Sequence, residues 1–153
     1  MNNLAKLALV ILGVILVGFA AIQLIPVSHT DPPAVTQVQW DSPQTQALFQ
    51  RTCADCHSNQ TVWPWYSYVA PVSWLVARDV YGGRSRFNIS ELNTSSPRFS
   101  RMGSEMGRTI ESGRMPMAIY VTMHPTARLT PQEAQTLASG LQATFANPVA
   151  PVK

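Results

Sequence analysis

Charge and cysteine are both scarce in this chain: 12% of its 153 residues are charged, and only two are cysteine. Eleven Lys and Arg stand against eight Asp and Glu, for a net charge of +3. The basic residues are scattered rather than clustered, so the chain has no electrostatic footprint for nucleic acid, and that partner class is set aside. Sustained alternation of apolar and polar residues is also missing, which argues against half-buried strands and for an all-α fold. Without a βαβ pattern around the cysteines, a thioredoxin-like redox pair is disfavoured. A structural zinc site needs four ligands, and the histidines outside the cysteine motif, His29 and His124, stand singly and far away. No internal repeat or low-complexity tract is evident.

Both cysteines fall in one run, Cys53-Ala54-Asp55-Cys56-His57. C-x-x-C-H is the attachment signature of c-type haem. Two thiols at this spacing can each add across one vinyl group of a single haem, and the residue that follows, His57, is placed under the ring to bind iron through an imidazole nitrogen. The expected cofactor is one covalent haem c on Cys53 and Cys56, with His57 as proximal iron ligand.

The chain also carries one long apolar run. Leu7 to Ile25 reads LALVILGVILVGFAAIQLI, with Gln23 its only polar residue, Lys6 before it and Pro26 after it. That length suits a membrane-spanning helix and exceeds the usual apolar core of a cleaved signal peptide. Gly18-Phe19-Ala20 offers the small residues of a cleavage site, so a removed signal is the alternative. Lys6 precedes the run and Arg51 is the first basic residue after it, which by the positive-inside bias puts the N-terminus in the cytoplasm and the remainder in the periplasm. Pro26 to Asp41, with Pro32-Pro33, reads as an extended tether. The expected organisation is an anchor over residues 1–26, a linker over 27–41, a haem-binding domain over 42–147 and a tail over 148–153.

About four short helices are expected beyond the tether. Ser42-Pro43 suits an N-cap and first helical position ahead of Leu48, Phe49 and Cys53. Pro71 opens a second helix carrying Val72, Leu75, Val76 and Val80, closed by Gly82-Gly83. A third runs from about Pro97 to Ser112, with Met102, Met106 and Ile110 at helical spacing and Gly113 as its stop; methionines so spaced read as core packing. Thr130-Pro131-Gln132-Glu133 is a capping box with proline at the first position, ahead of Ala134, Leu137, Ala138, Leu141 and Phe145.

The second iron ligand is sought in Gly113-Arg114-Met115-Pro116, where a methionine bracketed by proline can present its thioether opposite His57. Met117 and Met123 are alternatives, and His124 is the rival that would give bis-histidine ligation. Trp63, Trp65, Tyr66, Tyr68 and Trp74 hold enough apolar area to wall a porphyrin, or form an ordinary aromatic core. Arg78 and Arg84 are expected to be exposed, with pairing to haem propionates as the other role. A carbonyl of Pro64 or Pro71 is expected to take the other ring proton of His57.

Taken together, Cys-Ala-Asp-Cys-His-Ser at 53–58, Trp-Pro-Trp-Tyr-Ser at 63–67, Pro71-Val72-Ser73-Trp74, Gly113-Arg114-Met115-Pro116 and His124-Pro125-Thr126-Ala127-Arg128-Leu129 resemble the bacterial haem-binding domain family of small, membrane-anchored cytochrome c-like proteins. The resemblance covers roughly residues 40 to 145. It implies a cytochrome c-like helical domain around one haem, covalent haem on Cys53 and Cys56, His57 as proximal ligand and Met115 as distal ligand, with His124-Pro125 as rival. Met117 stands where the family usually has a second proline after Met-Pro.

A six-coordinate His/Met iron has no position open to substrate, so the function expected is one-electron transfer at the periplasmic face of the cytoplasmic membrane, to redox partner proteins that the sequence does not identify. An enzymatic role is left open: the alternative is a haem-based peroxidase or a gas or redox sensor with an open distal site, for which no His/Arg distal pair can be named.

Overall fold

The computed structural model describes residues 2–94, 96, 98–146 and 150–151. Among them the chain forms seven α-helices: α1 (Asn3–Ile22), α2 (Pro43–Thr52), α3 (Ala54–His57), α4 (Val72–Arg86), α5 (Phe99–Glu111), α6 (Ala118–Met123) and α7 (Pro131–Phe145). Short 3-10 turns cover Trp65–Tyr68 and Pro125–Ala127. The extended pairing among the described residues is two residues long, Thr36–Gln37 (β1) antiparallel to Ala150–Pro151 (β2). The all-α expectation holds.

The chain divides into two compact units, residues 1–30 with 63–79 and residues 31–62 with 80–153. Helix α4 supplies its first half to one and its second half to the other.

In the first unit, α1 is apolar from Leu7 to its end, and none of it is buried. It is the one helix among the described residues long and apolar enough to cross a membrane. It starts four residues before the apolar run, because the Asn2 side chain caps it by accepting from the Ala5 amide at 3.0 Å. It ends at Ile22, and Gln23 is its C-cap. The Gln23 side chain then makes two bonds to one residue of the aromatic segment, donating to the Ala70 carbonyl at 3.1 Å and accepting from the Ala70 amide at 2.9 Å.

In the second unit, α2 begins as its sequence dictates, with the Ser42 hydroxyl accepting from the Thr45 amide and Pro43 at the first position. Helix α7 carries the expected capping box: the Thr130 hydroxyl accepts from the Glu133 amide, and the Glu133 carboxylate from the Thr130 amide. The core lies where α2, α5 and α7 meet, built from Leu48, Phe49, Leu92, Ile110, Leu137, Leu141 and Phe145. Met102 and Met106 pack against it, the role their spacing predicts. Gly103 permits the α5–α7 approach, since a Cβ there would lie 2.6 Å from the Leu141 carbonyl oxygen.

Several expectations need correction. Gly82 and Gly83 do not close the second helix; α4 runs through both to Arg86. Gly83 is a packing residue, for a Cβ on it would run into the backbone carbonyl of Cys56. Helices α3 and α6 add to the four expected, and the start of the third expected helix, at Pro97, lies outside the described residues. The stretch from Asp31 onward is not a tether. Thr36 and the Val35 amide bond the 89–90 backbone, Val38 is buried, and the Trp40 ring lies 5.2 Å from that of Phe49. Of the tail over 148–153, only Ala150 and Pro151 are described.

Candidate haem site

Cys53 is both the C-cap of α2 and the N-cap of α3, so the haem motif is a single helical turn delivered by α2. The Cys56 and His57 amides close that turn onto the Cys53 carbonyl at 3.2 and 2.9 Å. Neither cysteine is in a disulfide. Burial pushes the Cys53 thiol up to about 11, against a smaller lowering by the Thr52 hydroxyl 3.1 Å from its sulfur.

His57 is held by one residue in two ways. Its Nδ1 lies 3.0 Å from the Phe87 carbonyl oxygen, and its ring lies 5.6 Å from the Phe87 ring. A carbonyl can only accept, so Nδ1 carries the proton and the lone pair is on Nε2, the arrangement found in metal-binding histidines with a fixed outer partner. Burial lowers the affinity of this imidazole for a second proton, and the nearby Arg86 charge acts in the same direction, against raising by backbone bonds at Phe87 and Gly83. The acceptor is thus Phe87, not Pro64 or Pro71. Phe87 joins His57 to the core through edge-on contacts with Phe49 and Phe145 at 6.2 and 5.9 Å.

The turn is fixed on its far side as well. The Ile89 amide bonds the His57 carbonyl at 2.8 Å, and Asn59 is tied to Asn88, Ser90 and Glu91. Arg84 donates to the Ser58 carbonyl, to the Thr61 hydroxyl and to Asp31, with its side chain only 9% exposed. Its guanidinium is therefore committed to bracing the loop after the motif, contrary to the surface or propionate roles expected of it. Arg78 is exposed, as expected, and pairs with Asp79.

Met115 lies in the loop after α5, half-buried, and packs against the same core cluster as Cys53, Ala54 and Phe87. One residue that the sequence did not single out completes the surroundings. Tyr120, on α6, donates its hydroxyl to Asp55 Oδ2 at 2.7 Å, and its proton is held far more firmly than usual by burial first and then by that carboxylate and the two cysteines. His124 stacks on the Tyr120 ring at 4.3 Å, with Nδ1 donating to the Tyr120 carbonyl at 3.2 Å. Tyr120 gave no sequence signal. Of the alternatives, Met123 is exposed and Met117 is the half-buried N-cap of α6.

The aromatic block is in the first unit and the cysteines in the second. Its contacts are with His29, whose ring stacks on Tyr68 at 4.2 Å, meets Trp63 edge-on at 4.6 Å and has Nε2 2.8 Å from the Ser67 carbonyl oxygen. Trp65 and Tyr68 are largely exposed, so they do not form a buried aromatic core.

The donor set fits a haem: two cysteines outside any disulfide on one turn, an imidazole with its lone pair on Nε2, and an apolar cluster reaching Met115. A family model for the haem-binding domain matches residues 17–143. The chain belongs to that family, and is a haem-binding, mostly helical protein with one N-terminal apolar helix. No curated protein and no solved structure matches it.

Proposed function

We propose that this chain is a membrane-anchored c-type cytochrome that carries single electrons at the periplasmic face of the cytoplasmic membrane. Cys53 and Cys56 hold one haem covalently, His57 binds its iron through Nε2, and Met115 is the opposite ligand. The observation that carries the reading is the Nδ1 bond of His57 to Phe87, which fixes the tautomer a metal ligand needs beside two cysteines at haem-attachment spacing. A haem ligated in this way supplies a one-electron iron couple. Phe87 orients the imidazole, Arg84 and Asn59 brace the loop that follows it, and the core cluster keeps water from the Met115 side. Lys6 before the apolar run, with no further basic residue until Arg51, supports an N-terminus in the cytoplasm.

Covalent attachment is tested by denaturing electrophoresis of the full chain made in a host able to mature c-type cytochromes. Haem-dependent peroxidase staining should stay with the polypeptide and disappear when Cys53→Ala and Cys56→Ala are combined. Release of haem from the unaltered chain on denaturation would overturn the reading.

A further inference from the structure

We propose that the turn at Trp65–Tyr68 and the start of α4 form a seat in the headgroup region of the lipid bilayer that α1 enters. The proposal rests on reading α1 as a membrane helix and names a second, separate contact with lipid. Its 20 residues correspond to about 30 Å of helix, close to the thickness of a hydrocarbon core. The end of that span is therefore a level, and Gln23 marks it. The paired bonds between the Gln23 side chain and the backbone of Ala70 fasten the aromatic segment at that level. A second clamp, six residues on, comes from His29, stacked on Tyr68 and bonded to the Ser67 carbonyl.

What the clamps hold up is an apolar face left open. Trp65 is 78% and Tyr68 60% exposed, and Val72, Trp74 and Leu75 on the first turn of α4 are exposed too. Large aromatic side chains in a small protein are normally buried, and a contiguous exposed group of them marks an interaction surface. Tryptophan and tyrosine, with an apolar body and a polar edge, are the residues enriched at both faces of a bilayer. An exposed aromatic face pinned to the exit of a spanning helix thus meets headgroups before it can meet anything else. Seated there, the segment would fix the height of the chain above the membrane, which an unconstrained linker could not do.

The test uses the full chain in phosphatidylcholine–phosphatidylglycerol vesicles, either plain or containing phosphatidylcholine brominated near the headgroup end of its acyl chains. Tryptophan emission is read as the ratio between the two vesicle types, which cancels any quenching by bound haem. With Trp65 and Trp74 in the interface, two of the four tryptophans are quenched and emission falls by up to roughly half; in W65F/W74F the bromine dependence disappears. Equal quenching in the double variant, or none in the wild type although the chain floats with the vesicles, overturns the seat and leaves the anchor standing; a face covered by a second copy of the chain or by another protein gives that result. Failure of the chain to float with vesicles at all overturns the membrane reading of α1, and the seat with it.

Discussion

His57 owes both its orientation and its tautomer to Phe87, and the rest of the proposed ligand set depends on what approaches from the other side. Met115 and His124 differ in their neighbours: the first packs on the cluster that contains Cys53, while the second stacks on Tyr120, whose hydroxyl is bound to the acid inside the motif. With Met115 on the iron, the ferric protein should be low-spin with a sulfur-to-iron charge-transfer band in the near infrared. That band should vanish in Met115→Ala and survive His124→Ala. Thioether ligation raises the reduction potential relative to bis-histidine, so Met115→Ala should also lower the potential or open the iron to added ligands. Loss of the low-spin spectrum in His124→Ala alone would move the ligand there. A high-spin ferric spectrum in the unaltered protein would mean an open iron and would favour peroxide or gas chemistry over electron transfer.

At the scale of elements, the packing of α4 on the haem motif makes a paired test. Gly82 and Gly83 are neighbours in the interior of one helix, yet a Cβ on Gly82 meets nothing within 4 Å, while on Gly83 it overlaps the Cys56 carbonyl. Gly82→Ala should therefore stabilise the chain by about 0.5–1 kcal/mol through helix propensity alone. Gly83→Ala should destabilise it by about 1–3 kcal/mol, because the obstructing atom is backbone and cannot rotate aside. Denaturant titration followed by circular dichroism separates the two signs, and equal effects would show that α4 does not bear on the motif. The same pair shows what was legible in the sequence. Caps were, since Ser42-Pro43 and the Thr130–Glu133 box act through residues three or four apart, and so was the haem motif, which is local. The glycine pair misled because a helix stop and a close helix approach both ask for glycine, and only the approaching chain distinguishes them. Phe87 and Tyr120 were invisible as site residues for the same reason, and the bracing role of Arg84 with them: each reaches the motif across tens of residues, through a carbonyl, a hydroxyl or a loop that leaves no pattern in sequence.

At the scale of the whole molecule, the division into two units cuts across chain order. The aromatic segment 63–79 follows the haem motif in sequence, but its unit is shared with residues 1–30, and it is tied to Gln23 and His29. The second unit has its own core from α2, α5 and α7, braced by Arg84 and Asn59. Removing residues 1–30 should thus affect the two units unequally. Ala70 would lose both bonds to Gln23, and Ser67 and Tyr68 would lose the His29 ring. In the shortened chain, amide hydrogen exchange should become fast over 63–79 and stay slow over 43–57 and 99–145, since local opening follows the loss of local burial and hydrogen bonding. With a cleaved export signal supplied in place of residues 1–30, the haem stain should persist, as every residue of the proposed attachment site lies in the unit left intact. Uniformly fast exchange throughout the shortened chain would mean that the two units fold as one, and unchanged protection over 63–79 would mean that Gln23 and His29 do not hold that segment.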